Sequence, residues 1–148
     1  MIGARPAVAA DAAAIAELRA AARSQTLDKR GGPHFSVSEG AAPAVLLDAD
    51  ADEAAVIVGL IHETPVGIAT LERRGARALL SEFYTHQEAR GVGVGHAMLE
   101  SVIARARDWN CTDLDSYALP GDRDTKNFFE SHAMKSRLLI VHRSLADE

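Results

Sequence analysis

Residues 86–99, HQEARGVGVGHAML, decide the fold because three glycines here join a strand pattern to a helix pattern. Gly91, Gly93 and Gly95 alternate with two valines. The first turn of a helix has unpaired N–H groups and lies at the positive end of the helix dipole, so it favours an anion. A side chain at a glycine position would hold that anion away from the backbone. The stretch therefore predicts a turn that binds a phosphate group.

Two common phosphate-binding motifs fit this stretch poorly. A P-loop ends in Gly-Lys-Ser or Gly-Lys-Thr, whereas His96 and Ala97 follow Gly95 here. A dinucleotide-binding turn requires G-x-G-x-x-G, and His96 takes the place of its third glycine after Gly91 and Gly93. The alternative without a ligand is a plain tight turn before a helix.

The segments around the turn predict a mixed sheet with helices. Three β-rich runs at 55–63, 66–74 and 77–85, the first two separated by Thr-Pro, are joined by breaks too short for crossovers. They predict an antiparallel meander. A helix over 95–109 between strands near 79–85 and 113–118 predicts a parallel βαβ unit. Further expected elements are a helix over about 11–24, a broken second helix with loops over 24–43, a helix at 126–134 and a last strand at 136–145.

Length and composition limit the classes of protein. The 148 residues fit one domain, and 47% hydrophobic with 25% charged residues is ordinary globular usage. The formal net charge of -5 disfavours a nucleic acid partner. Cys111 is the only cysteine, so it cannot form an intramolecular disulfide. The sequence contains no long apolar stretch of the kind that indicates a signal peptide or a membrane span. We therefore expect a cytoplasmic protein with no membrane partner.

Residues 90–95, RGVGVG, match the pattern [Gln/Arg]-x-x-Gly-x-[Gly/Ala] and resemble the acetyl-CoA pyrophosphate loop of the GNAT superfamily of N-acetyltransferases. Residues 4–19 are similar to that family's opening strand and first helix, and 81–110 to its fourth strand and third helix. Residues 118–134 are similar to its fifth strand, crossing loop and fourth helix. The resemblance implies one α/β (α+β) domain over 1–148, with a mixed central sheet of about six to seven strands flanked by about four helices.

The resemblance also implies how the cofactor is held. Pyrophosphate would be bound by backbone amides of the loop, which are those of Arg90, Gly91, Val92, Gly93, Val94, Gly95 and His96. The pantetheine arm would insert where the fourth strand splays from the fifth, pairing with the backbone of Tyr84 and Thr85. Asp122 occupies the place of an asparagine that commonly contacts the pantetheine or the helix. For the Arg90 side chain two interpretations stay open, a specific role in the loop or a solvated surface charge.

Acetyl transfer requires a neutral amine, because an ammonium has no lone pair, and a carboxylate can take the ammonium proton directly or through water. Glu82, in the run SEFYT, stands where related sequences often carry such a glutamate. Strand alternation places Glu82 and Tyr84 on one face and Phe83 and Thr85 on the other. A glutamate in an apolar strand must be paired or solvated, which indicates a neighbouring cavity. The alternative is a structural salt bridge, for example to an arginine of a neighbouring strand.

Besides Asp122, three positions depart from the family pattern. Phe129 takes the place of a tyrosine that protonates the departing thiolate, and phenylalanine has no proton to donate. Tyr84, Tyr117, a water or another group would substitute, or the thiolate would leave without a side-chain acid. Ala133 and Met134 replace the usual Gly-Phe pair after the fourth helix.

The resemblance therefore implies an N-acetyltransferase that moves an acetyl group from acetyl-CoA to a primary amine of a small molecule or peptide. The alternative is a CoA-binding or acyl-CoA-binding module of the same fold without transfer activity. The histidines lack metal-ligand spacing, so no metal is expected. In this family an aliphatic end such as 138–141 often lies at a dimer contact, which makes a homodimer an expectation.

Overall fold

The computed structural model describes residues 1–38 and 51–146. Five strands form one sheet: β1 Ile2–Pro6, β2 Ala54–Ile61, β3 Thr64–Arg74, β4 Arg77–Thr85 and β5 Asp113–Ser116. Four helices accompany it: α1 Ala12–Leu27, α2 Gly32–Ser38, α3 Val94–Asp108 and α4 Arg123–Glu130. The broken second helix is α2, and the loop expected beyond it at 39–50 lies outside the described residues.

The strands follow one another across the sheet in sequence order. β1 to β4 pair antiparallel, and β4 pairs with β5 in parallel across α3. The predicted meander and βαβ unit are confirmed. The turn between β2 and β3 lies at His62 and Glu63, which have φ of 49° and 71°, and β3 already begins at Thr64. The prediction of a break at Thr-Pro was therefore displaced by two residues, since a two-residue hairpin turn with positive φ joins the strands.

Helices α1 and α3 cover the two faces of the sheet, each with an apolar stripe. Ile15 and Leu18 of α1 pack on one face in a cluster that includes Tyr84. Met98 and Val102 of α3 pack on the other face in a larger cluster. Every β2 residue between the strand's two ends is buried, as expected for a strand covered on both sides.

The sheet of the described residues has five strands, not six to seven, and the strand predicted at 136–145 is wrong. Leu138 is 83% exposed and Val141 88% exposed, and the segment has no ladder partner among the described residues. An aliphatic, β-branched run forms a strand only when a sheet edge accepts its backbone hydrogen bonds. In the described single chain no edge does so.

Helix α4 begins and ends earlier than predicted. Asp122 caps its start, because its carboxylate accepts hydrogen bonds from the Thr125 N–H at 3.1 Å and the Thr125 hydroxyl at 2.7 Å. The helix ends at Glu130, and Ala133 follows in the left-handed region with φ of 65°. The Met134 N–H donates back to the Phe129 carbonyl, which completes a turn in which glycine is the usual residue.

An ion pair fixes the start of α1 against β1. Arg5 Nη1 lies 2.7 Å from Asp11 Oδ2, and the Val8 N–H donates to the same oxygen at 2.8 Å. The Arg5 guanidinium and the Val8 amide hold the pKa of the buried Asp11 carboxyl below its usual value, against the opposing effect of burial. Among the described residues, no helix has the length and apolarity that crossing a membrane requires.

Candidate functional site

Strands β4 and β5 separate half-way along β4. Their pairing runs from Arg77 opposite Asp113 to Leu80 opposite Ser116 and stops there, although β4 continues to Thr85. The separation begins at Ser81, where β4 has one residue more than β3 between their paired positions. Residues 81–85 therefore lack a strand partner on this edge among the described residues.

The backbone of Thr85 points to the open edge. The next residue, His86, donates its N–H to the Val66 carbonyl on the β3 side at 2.7 Å. Backbone groups of successive strand residues point to opposite edges, so those of Thr85 face the gap beside β4. Tyr84 is buried under α1 and contributes its ring to that apolar cluster.

The predicted phosphate turn has the backbone that its glycines allow. Gly91 and Gly93 have φ of 83° and 101°, in the left-handed region, and apart from their chain neighbours no described atom lies within 4 Å of where a Cβ would stand on either. Gly93 is the N-cap of α3 and offers no side-chain oxygen. The Ala97 N–H donates to the Gly93 carbonyl, so the N–H groups of residues 94–96 precede the first intrahelical bond. Among the described residues these N–H groups have no acceptor, so the start of the helix presents unpaired donors and the positive end of its dipole.

The third glycine differs from the other two. A Cβ on Gly95 would lie 3.2 Å from Cε1 of Phe128, so its absence lets α4 pack closely on α3. Phe128 and Phe129 pack with Phe83 of β4, with ring centroids 5.3 and 5.5 Å from the Phe83 ring. Phe129 is only 6% exposed. The position where relatives carry a tyrosine is thus occupied by a buried phenyl ring in an aromatic cluster.

Arg90 links the turn to the end of β4 and to α1. Its Nε donates to the Thr85 carbonyl at 2.9 Å and its Nη2 donates to Oε1 of Gln25 at 2.6 Å. Its guanidinium carbon lies 5.4 Å from the centroid of the Tyr84 ring. The Arg90 side chain therefore binds the Thr85 carbonyl at the open edge of β4. The sequence did not indicate these specific contacts of the side chain.

Glu82 lies in a cluster of polar side chains between the sheet and α1. Its Oε1 accepts hydrogen bonds from Arg19 Nε at 3.0 Å and from the Thr70 hydroxyl at 2.7 Å. The Glu82 side chain is 25% exposed and that of Arg19 is 19% exposed. Both bonds fall on Oε1, while Oε2 has no hydrogen-bond partner among the described residues. A carboxylate held by one oxygen can still accept a proton on the other.

Sequence reasoning missed Arg19 and Thr70. The salt bridge it considered for Glu82 involved a neighbouring strand, whereas the arginine comes from α1, 63 positions earlier. No spacing rule relates residues so far apart. Thr70 did leave a signal, because it is a polar residue in the middle of an apolar strand and is 2% exposed.

A cleft of about 390 Å³ opens between the α1–α2 turn and the loop before α4. It is lined by Lys29, Arg30, Pro120, Gly121, Asp122, Arg123 and Asp124. A Cβ on Gly121 would lie 2.9 Å from the Arg30 backbone nitrogen, so glycine allows the two loops to touch. Three cations face two carboxylates here, and one carboxylate, Asp122, already caps α4.

His96 continues from the turn into a hydrogen-bonded chain on the outer side of α3 and α4. Its Nδ1 lies 3.0 Å from Nε2 of His132, and its Nε2 lies 3.1 Å from Glu100. His132 Nδ1 lies 2.8 Å from the Phe128 carbonyl. The described part of the chain contains no group of three or more side chains arranged to hold a metal ion.

The sequence profile of the acetyltransferase (GNAT) family matches residues 17–134, which is most of the chain. The chain belongs to this family. This membership classes the chain among the acyltransferases and confirms the resemblance seen in the sequence. No curated protein sequence matches the chain.

Solved structures share the fold of this acetyltransferase family member over almost its whole length. Ribosomal-protein-alanine N-acetyltransferase from Brucella melitensis biovar Abortus 2308 is 17% identical with a TM-score of 0.69, covering 97% of this chain and 100% of that chain. The PaiA N-acetyltransferase from Thermoplasma acidophilum, in complex with coenzyme A, is 13% identical with a TM-score of 0.68, covering 89% and 88%. AAC(6')-Iy, in complex with a CoA-containing bisubstrate analogue, is 13% identical with a TM-score of 0.71, covering 97% and 98%. At sequence identities of 13–17%, the similarity to these structures establishes a shared fold and no more.

Proposed function

We propose that this protein transfers the acetyl group of acetyl-CoA to a primary amine of a small molecule or peptide. The observation that carries the proposal is the uncapped start of α3, with left-handed Gly91 and Gly93 before it, beside a stretch of β4 that lacks a strand partner. An anion of pyrophosphate size fits the free donors at this helix end. An extended arm leading away from it would run along the open edge of β4.

The donor would meet three groups of contacts. Its pyrophosphate would be bound by the amides of residues 91–96. Its pantetheine amides would pair with β4 at Thr85, whose carbonyl is held by Arg90 in the described structure. In the cleft before α4, Lys29, Arg30 and Arg123 outnumber Asp122 and Asp124, and this net positive charge suits a phosphate-rich ligand. Two structural neighbours, the PaiA protein and AAC(6')-Iy, were solved with CoA or a CoA-containing analogue, which supports CoA as the donor.

Transfer would proceed by direct attack. The amine nitrogen forms a bond to the thioester carbonyl carbon, the carbon–sulfur bond breaks, and CoA leaves as a thiolate. The proton lost by the amine would pass to Oε2 of Glu82, directly or through water, while Arg19 and Thr70 hold Oε1. The thiolate would take a proton from water or from Tyr117, which follows Ser116 at the point where β5 leaves β4.

A second candidate is a CoA-binding module of the same fold that does not transfer the acetyl group. Phe129 favours it, because a buried phenyl ring stands where a proton donor is usual. Pairing of Glu82 with Arg19 also favours it, because an ion-paired carboxylate can serve structure alone. Both candidates bind CoA, so only turnover separates them.

The experiment is a thiol-release assay with acetyl-CoA and a broad panel of primary amines, run on the native chain, Glu82→Gln and Glu88→Gln. Glu88 is an exposed glutamate in the short turn after β4 and serves as the matched control. Amine-dependent CoA release that is lost in Glu82→Gln and kept in Glu88→Gln supports the transferase with Glu82 as base. Tight CoA binding without release for any amine supports the binding module instead.

A further inference from the structure

Arg19 has an unused edge beside the candidate base. Its Nε donates to Oε1 of Glu82 at 3.0 Å, and its Nη2 donates to the Thr70 hydroxyl oxygen at 3.3 Å. These two bonds use one side of the planar guanidinium group, which has further N–H donors in a fixed fork. Nη1 has no hydrogen-bond partner among the described residues. The end of the fork, formed by Nη1 and the outer N–H of Nη2, therefore stays open.

Buried contacts fix the orientation of this fork. The Thr70 hydroxyl donates to Oε1 of Glu82 at 2.7 Å while it accepts from Arg19, so the three side chains form a closed triangle. Thr70 is 2% exposed, and the side chains of Arg19 and Glu82 are 19% and 25% exposed. A partly buried guanidinium with donors left over is suited to a ligand that accepts hydrogen bonds.

Two complementary groups therefore lie side by side. Oε2 of Glu82 is the acceptor to which the proposed function assigns the amine proton, and the open end of the Arg19 fork offers donors. Both belong to one ion pair, so a ligand that meets both must carry its amine close to an anionic group. A guanidinium fork binds the two oxygens of a carboxylate side by side. The arrangement thus fits an amine with a carboxylate on the same or the next carbon atom.

The charges near the triangle also favour a negatively charged group on the acceptor. Glu82 balances the charge of Arg19, whereas the hydrogen-bond partners of Arg90 are neutral, namely the Thr85 carbonyl and the Gln25 amide. The three ionised side chains together carry a net positive charge. A phosphate carries more negative charge than a carboxylate and would be repelled more strongly by Glu82, so the carboxylate fits better.

We infer that the acceptor is a small amino acid, and that Arg19 binds its carboxylate while Glu82 takes the proton of its amine. The amine nitrogen forms the amide bond to the acetyl carbon, and the carbon–sulfur bond of acetyl-CoA breaks. The carboxylate is unchanged, so the product is an N-acetylamino acid. This inference rests on the proposed function and narrows its primary amines to one class. Arg19 determines specificity, since it contacts a part of the acceptor that does not react.

The test compares each common L-amino acid, and β-alanine, with its own amide in the acetyl-CoA thiol-release assay. The amide keeps the amine and the side chain but lacks the negative charge. We expect a native kcat/KM at least about tenfold higher for the preferred acid than for its amide, and a ratio within about twofold of one in Arg19→Gln. Arg19→Lys keeps the charge without the fork and should retain part of the preference.

Intrinsic reactivity runs against this preference, which makes the comparison stringent. A neighbouring carboxylate favours the ammonium form of the amine, so the amide has the larger fraction of reactive neutral amine. Arg23→Gln is the matched control, because Arg23 is exposed one turn further along α1, and it should leave the acid-to-amide ratio unchanged. Circular dichroism checks each variant, and if Arg19→Gln is unfolded, the native ratio and Arg19→Lys decide.

The outcomes separate this inference from the function on which it rests. A native acid-to-amide ratio near one, with CoA still released, overturns the inference and leaves the transferase standing. So does a fall of kcat/KM by the same factor for acid and amide in Arg19→Gln, since that is the result of a structural role alone. If no amine of either kind releases CoA, the proposed function fails and the inference fails with it.

Discussion

The turn before α3 and the cluster around Glu82 lie at opposite ends of the part of β4 that β5 leaves open, and they are built from different material. The turn is made of backbone: Gly91 and Gly93 adopt left-handed φ, and the helix supplies the donors. The cluster is made of side chains from α1, β3 and β4. A backbone site needs only residues that permit a conformation, so distant relatives can share it. A site built from side chains changes with each substitution. Family membership therefore indicates the acetyl donor more readily than the substrate that accepts the acetyl group.

The largest effect should come from breaking the backbone site. Gly93→Glu places a carboxylate at the helix N-terminus, where it would repel pyrophosphate, and should weaken acetyl-CoA binding by at least about a hundredfold in calorimetry. Gly75→Glu is the matched control, since Gly75 also has positive φ, at 66°, and open space around it, but lies in the β3–β4 turn. If both variants lose affinity equally, backbone strain is the cause and the anion site is not supported.

The side-chain site should respond in rate and not in donor affinity. Glu82→Gln should lower kcat about a hundredfold, within the usual range for a general base, while the Kd for acetyl-CoA stays unchanged. Glutamine can still accept the hydrogen bonds of Arg19 and Thr70, so the fold is preserved. Unchanged kcat would leave Glu82 with a structural role alone and would move the base to another group.

The position of α1, and with it Arg19, depends on the pair between Arg5 and Asp11. The pKa of Asp11 is lowered in the folded state, chiefly by its hydrogen bond to Arg5. Its stabilisation is therefore present above the unfolded pKa, near 3.8, and is lost as pH falls through the lower folded value. Asp11→Asn should reduce the urea midpoint at neutral pH. The difference in urea midpoint between this variant and the native chain should shrink as the pH falls below about 3.8, the unfolded pKa. A difference that is constant with pH would show that the carboxylate charge is unimportant.

The smallest effect concerns α4, whose aromatic residues Phe128 and Phe129 pack against Phe83 of β4. Ala133 has φ of 65°, a conformation that costs an L-residue about 1 kcal/mol and glycine almost nothing. Ala133→Gly should therefore raise the free energy of unfolding by about 1 kcal/mol, or Tm by roughly 2–4 °C. Ala104→Gly is the control: Ala104 is exposed within α3, where glycine should destabilise by about the same amount. Destabilisation by both would contradict this account of the turn.

Local patterns predicted the parts of the fold that depend on local physics. The β-branched runs of β2, β3 and β4, the apolar stripe of α3 and the glycine turn were all identified from spacing. Residues 136–145 failed because a strand pattern says nothing about which edge accepts it, and none in the described chain does. The pairing of Arg19 with Glu82 could not be predicted, because it depends on how α1 lies across β4. Gly95 was assigned to the phosphate, and its lack of a side chain also allows Phe128 to pack on α3.

The central claim is that the backbone of residues 91–96 binds the pyrophosphate of CoA. Titration of the ¹⁵N-labelled chain with CoA tests it directly, since the glycine amides resonate in a separate region of the ¹H–¹⁵N correlation spectrum. The amides of Gly91, Gly93 and Gly95 should show the largest shifts, saturating together, while Gly75 stays in place. Saturable CoA binding that leaves these three amides unshifted would contradict the account.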